Sequence, residues 1–205
     1  MNLATHLEVD RYGDFWLTDA IRPARNVPVV PRQGYRIDVY RDAEAGLRVP
    51  VLAAAVSRER LFDVFLSLLP PLGATVNVVL ETSHFRQEGG HKDLVRTHID
   101  LPVLMSHCCD FEDLLLHDGC TGLAVVSRSE AVEVQFDEHK LLLVYARDLS
   151  QFAAILDDCD IPRHDDLQLI TEGAHLHSSS PDHFAQFEQL CCRLGIDEPA
   201  EYVNG

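Results

Sequence analysis

Residues Val49–His84 read VPVLAAAVSRERLFDVFLSLLPPLGATVNVVLETSH, and Lys140–His175 read KLLLVYARDLSQFAAILDDCDIPRHDDLQLITEGAH. In each an apolar run (Val51 to Val56; Leu141 to Ala146) leads into an amphipathic segment, then a proline (Pro71; Pro162), then a second apolar run ending in Glu-x-x-His. The frame of 36 residues carries five identities: Leu52/Leu143, Ala55/Ala146, Pro71/Pro162, Glu81/Glu172 and His84/His175. A second block agrees further on: His107-x3-Phe111-Glu112-x-Leu114-x4-Gly119 returns as His183-x3-Phe187-Glu188-x-Leu190-x4-Gly195. Between the blocks the first copy is 15 residues longer, because 23 positions separate His84 from His107 and 8 separate His175 from His183.

Working outward, Leu61, Phe65, Leu68 and Leu69 recur at helical spacing after Ser57, a residue type that caps helices, and Pro70-Pro71 stops that helix. Arg48 to Val56 and Ala74 to Thr82 flank it as strands. A strand–helix–strand run of this length predicts a parallel pair with a right-handed crossover. Upstream, Val27 to Val30 reads as an edge strand. Tyr35 to Tyr40 alternates with the period of a half-buried strand. Residues 85–99 are polar around Gly89-Gly90 and read as an inserted loop, followed by a helix from Pro102 to about Leu116. The second copy repeats the programme with Leu123 to Val126, Val132 to Phe136, Leu141 to Ala146, a helix through Phe152 to Cys159, a fourth strand at Leu167 to Thr171, and a last helix opened by Ser180-Pro181 and ended by Gly195.

The expected architecture is therefore α/β (α+β): a β-β-β-α-β-α unit used twice, two similar lobes about a pseudo-two-fold, with mixed sheets. Residues 1–26 form an arm, with a short helix expected at Phe15 to Ile21. Residues 27–119 are the first unit and 120–205 the second with a polar tail. Three strands followed by α-β-α resemble the ribonuclease-H-like core, and two such units in tandem resemble the actin-like ATPases; a ferredoxin-like packing is the rival topology. The resemblance implies fold alone. Val27–Val30 and Leu123–Val126 lack the carboxylates those nucleases use for magnesium, and the turns Pro31-Arg-Gln-Gly34 and Ser127-Arg-Ser-Glu130 are not phosphate-binding hairpins.

The formal net charge of −16 in 205 residues, with no long basic run, argues against nucleic acid and anionic membrane surfaces as partners. The six cysteines include two vicinal pairs and no C-x-x-C, which reads as reduced thiols of a cytoplasmic protein. No signal-like segment or membrane-length apolar run is evident.

Candidate chemistry gathers at the end of the fourth strand. Glu172, His175 and His177 are placed to converge there, with His183 one turn into the next helix; the first copy offers Glu81, His84 and His107. Carboxylate plus imidazole suits zinc, iron or manganese. Ser178-Ser-Ser180 lacks a nucleophile elbow, and Cys108 and Cys191 fall on apolar helix faces. Asp157, Asp158, Asp160, Asp165 and Asp166 lack the spacing of a calcium loop. No catalytic pattern is complete. The sequence alone therefore favours a non-enzymatic module that binds a protein or small ligand. A metal-dependent hydrolase using the Glu/His cluster of the second repeat is the alternative.

Overall fold

The computed structural model describes residues 7–24, 28–42, 46–85 and 90–196. Strands β1 (Arg11–Tyr12), β2 (Phe15–Trp16) and β3 (Ile21–Pro23) belong to the arm. Then come β4 (Gly34–Asp42), β5 (Leu47–Ala55), α1 (Arg58–Leu68), β6 (Thr75–Thr82), β7 (Lys92–Asp100), α2 (Leu101–Asp110) and α3 (Glu112–His117). The rest is β8 (Thr121–Ser127), β9 (Val132–Phe136), β10 (Leu141–Ala146), α4 (Ser150–Asp158), β11 (His175–His177) and α5 (Pro181–Leu194). The protein is mixed α/β: five α-helices among the described residues, one seven-stranded sheet in the order β4-β5-β10-β9-β8-β6-β7, and two small two-stranded sheets. Every neighbouring pair in the large sheet is antiparallel.

That topology corrects several expectations. β5 and β6 are not a parallel pair: β10, β9 and β8 lie between them. Both units contribute to one sheet, which is antiparallel rather than mixed. Residues 85–99 contain most of β7, an edge strand, instead of forming a plain loop. Only Leu94 and Ile99 turn inward from β7. Lys92, Asp93, Arg96 and His98 occupy the positions that an exposed edge fills with charge. A bulge between Val76 and Val78, opposite His98 in the left-handed region (φ 58), breaks its alternation further. Leu167 to Thr171 is not a strand. Its leucines and Ile170 are buried against the far face of the sheet, and Ile170–Glu172 makes a single 3-10 turn. Phe15 to Ile21 is not helical; Trp16 N–H instead donates to Ser57 Oγ at 2.9 Å, tying the β1–β2 hairpin to the start of α1. Pro28 to Val30 is not a strand, and Val27 lies outside the described residues.

The side chains explain the layering. Leu52 and Ala54 on β5, Val76, Val78 and Leu80 on β6, Leu123 and Val125 on β8, Val134 and Phe136 on β9, and Leu142 and Val144 on β10 point to one face. They pack there with the apolar faces of all five helices. Among the described residues, a second apolar cluster covers the opposite face around β5 and β10, where Ala53, Ala55 and Leu141 meet Phe15, Leu17 and Ile21 of the arm and Leu167, Leu169 and Ile170. The ungapped frame equates Leu52 with Leu143, yet Leu52 lies in the main core and Leu143 against the smaller one. Successive strand residues alternate faces, so the ungapped frame equates residues on opposite faces of the sheet. No helix among the described residues is long and apolar enough to cross a membrane.

Candidate metal centre

One edge of the sheet collects polar side chains. The C-terminal end of β6, the N-terminal ends of β8 and β10 and the C-terminal end of β9 lie together there by register. The β9–β10 turn, Asp137-Glu-His-Lys140, is tightly closed. Asp137 N–H donates to Leu141 O at 3.1 Å, Lys140 N–H to Asp137 O at 3.0 Å, and Leu141 N–H to Asp137 Oδ1 at 2.8 Å. Lys140 sits in the left-handed region (φ 62), and its buried ammonium donates to Thr121 O at 2.9 Å. The other oxygen of Asp137 holds His139 Nδ1 at 2.8 Å. One carboxylate thus fixes both the turn and the ring it presents.

β11 runs antiparallel to β3, with His175 opposite Pro23 and His177 opposite Ile21. The period of two puts both imidazoles on one side, and exposed Leu176 on the other. His175 Nδ1 lies 2.8 Å from Gly173 O, and His177 Nδ1 lies 2.6 Å from Gly119 O. Gly119 must be glycine: a Cβ there would stand 2.4 Å from Ala20 O and 2.9 Å from Ser178 O. That close approach lets its carbonyl reach the His177 ring.

The rings of His139, His175 and His177 face one another, with centroids 4.8, 4.9 and 5.1 Å apart. Each offers a ring nitrogen within 4.8 Å of the other two, and all three residues are half-buried. The hydrogen bonds decide the tautomers. Carbonyl and carboxylate oxygens only accept, so each Nδ1 carries the proton, and each neutral ring keeps its lone pair on Nε2. This is the outer-shell pattern that orients metal-binding histidines. Tetrahedral zinc holds ligand nitrogens about 3.3 Å apart, closer than the 4.8 Å within which these ring nitrogens lie. Burial, the largest influence on His177, lowers its pKa, and the two neighbouring histidines add to this. For His139 burial acts in the same direction, but the hydrogen bond and charge of Asp137, with Glu138, override it and raise the pKa.

No protein-family model, curated protein or solved structure matches this chain.

Of the ligands read from sequence, His175 and His177 come together and Glu172 and His183 do not join them. Glu172 Oε1 accepts from Arg36 Nη1 at 2.5 Å, and His183 Nε2 lies 3.7 Å from Asp113 Oδ2. In the first copy His84 meets Asp118 and Cys120. His107 lies on α2 with Nδ1 buried and unpartnered. His139, in the turn between β9 and β10, is not among the ligands expected from the sequence. The available signal was Asp-x-His in a tight hairpin, a carboxylate two residues before the ring it orients.

Glu81 lies on β6 between Asp93 and Gly122. Burial first, then Asp93, Asp137, Glu133 and Glu138, push its pKa up to about 7. A carboxyl pKa raised on folding favours the protonated form. Its stabilising balance is therefore intact below about 4.5 and is lost as pH rises through 7. Glu81→Gln should leave stability unchanged at pH 4 and raise it by about 2 kcal/mol at pH 8, discounting for partial solvation. Urea unfolding at the two pH values checks this.

Proposed function

We propose that this chain is a metalloprotein that holds one zinc-class ion on Nε2 of His139, His175 and His177 and acts as a metal-dependent hydrolase. The observation that carries the reading is that all three Nδ1 atoms are committed to acceptor-only partners while the three rings converge. Three imidazoles leave a fourth position for water, and zinc brings the pKa of such a water to about 7. Glu138 is the carboxylate whose charge bears on both His139 and His177, and Ser83 Oγ donates to its Oε2 at 3.0 Å. With an ion bound by the three histidines, Glu138 would be the base of the site. This reading replaces Glu172 and His183 with His139 in the ligand set.

Protein purified without a histidine tag should retain zinc, iron or manganese. The loaded protein should cleave activated esters or phosphoesters, and Glu138→Gln should slow it by roughly a hundredfold or more while keeping the metal. Protein that neither retains nor takes up metal would end the proposal.

A second reading, a non-enzymatic ligand-binding module, is favoured by the half of the second sheet face beyond that smaller apolar cluster. A groove of about 500 Å³ there is lined by Tyr40, Val49, Val126, Glu133, Gln135 and Tyr145. Its two tyrosines and single lining carboxylate, Glu133, with the net charge of −16, suit a cationic or aromatic small molecule or a basic protein, not nucleic acid. Six unpaired cysteines accord with the cytoplasm as the place of action. Internal duplication remains our reading of the chain's origin. The equivalent strands β5 and β10 pair antiparallel at their midpoints, as a two-fold normal to the sheet requires, once the copies are offset by one residue.

A further inference from the structure

We infer that His84, Asp118 and Cys120 form a second divalent-cation site, built on the same loop that positions His177. The ligand atoms of these three residues lie within 4.8 Å of one another. Asp118 and Cys120 flank Gly119, whose carbonyl accepts from His177 Nδ1, so one tight loop supplies two ligands to this site and an outer-shell contact to the three-histidine centre.

The case rests on unfinished hydrogen bonding. Asp118 is fully buried. Its Oδ2 accepts from Thr121 Oγ1 at 2.5 Å and lies 3.2 Å from His84 Nε2. Its Oδ1 is buried with no partner. A buried carboxylate oxygen without a donor is costly, and Lys140 donates to Thr121 O rather than to this oxygen. On the other side of the imidazole, His84 Nδ1 lies 2.9 Å from Thr82 Oγ1, which already accepts the His84 backbone N–H at 3.2 Å. The Thr82 hydroxyl keeps its own proton to donate to Nδ1, so the neutral ring presents Nε2–H to Asp118 Oδ2, and a metal ion would take the place of that proton. The ion would also engage the unpartnered Oδ1 and the Cys120 thiol, which the proton leaves unused. Phe184 and Phe187 hold the ring in place, with centroids 5.2 and 5.1 Å from it. Ser179 Oγ lies 3.3 Å from Nε2, and its hydroxyl also bears on the Asp118 carboxylate, leaving Oδ1 as the oxygen without a partner. A nitrogen, oxygen and sulfur donor set selects zinc-class ions over magnesium or calcium.

The inference stands on ligands separate from those of the three-histidine centre, and cobalt(II) distinguishes the two. Anaerobic titration of metal-free protein should show two equivalents bound. One of them should bring a thiolate-to-cobalt charge-transfer band in the near ultraviolet, which histidine ligands do not give. Cys120→Ser and His84→Ala should each lose that band and one equivalent while keeping the other. His175→Ala should lose the other equivalent and keep the band. Cys120→Ser changes one atom and keeps the fold assessable by circular dichroism, should His84→Ala unsettle the ring's packing. Absence of the band in folded wild-type protein, or its persistence in Cys120→Ser, would leave a histidine–carboxylate hydrogen bond only and overturn the proposal.

Discussion

His175→Ala should lower zinc affinity at the proposed three-histidine centre by roughly a thousandfold, about 4 kcal/mol, and remove most of the stabilisation that binding there would give the folded chain. The ring is half-buried and its Nδ1 is tied to Gly173 O, so its removal costs the metal-free protein little. What disappears is one of three convergent lone pairs. Two histidines leave an ion with half its shell in water, and the tetrahedral preorganisation of the third ring is lost. At zinc concentrations near a thousand times the dissociation constant of this centre, its occupation should raise the wild-type midpoint by about 10 °C for a chain of this size, and the variant should keep only what the His84, Asp118 and Cys120 site contributes. His139→Ala gives the same result. Glu172→Ala and His183→Ala do not. The first releases Arg36 from an ion pair at 2.5 Å, and the second removes a ring whose Nε2 stands 3.7 Å from Asp113. Neither change touches a convergent nitrogen. Calorimetric titration of the four variants, with the thermal midpoint measured with and without zinc, checks the set. Equal losses in all four would mean that the ligands follow the Glu-x-x-His spacing instead of the observed geometry.

The contrast shows which properties the sequence made readable. Period two is local, so His-x-His already stated that His175 and His177 share a side; it said nothing about the turn that β11 docks against. His139 lies 36 positions before His175, and only the packing of the 167–177 segment across β5 and β10 brings them together. Glu172 looked equivalent to a ligand because it ends the same motif, but Arg36 on β4 faces it and takes its charge. Strands and helices with a clear apolar stripe were legible: β4, β5, β10, α1 and α5, including the Ser180 cap, whose Oγ accepts His183 N–H at 3.1 Å, and the left-handed Gly195. Strand partners were not. An apolar run buried on both faces reads alike whether its neighbours are parallel or antiparallel, and β5 has β4 and β10 beside it rather than β6. The same ambiguity made Leu167 to Thr171 look like a strand, since burial against a sheet face and burial within a sheet select the same residues.

Phe136→Ala tests whether the core and the metal centre are mechanically linked. Phe136 ends β9, is fully buried, and packs edge-on to Phe65 of α1 with centroids 5.2 Å apart. Across the sheet it stands opposite Leu123 and Leu142. Truncating such a ring costs about 3–5 kcal/mol, a third or more of the total stability of an ordinary domain, and lowers the midpoint by about 10 °C. Phe65→Ala opens the same contact from the helix side and should cost a similar amount. The two differ in what lies next to them. Phe136 is followed directly by Asp137, which closes the turn and holds His139, and the Lys140 ammonium lies 5.5 Å from the Phe136 ring centroid. A cavity at Phe136 lets the end of β9 settle inward, and His139 moves with it. Zinc affinity should therefore fall by about tenfold in Phe136→Ala, the scale of losing an outer-shell contact, and stay unchanged in Phe65→Ala. Urea unfolding gives the first quantity and zinc titration of the folded protein the second. Equal zinc affinity in both variants would show that the turn is held by its own hydrogen bonds alone, with no support from the core beneath it.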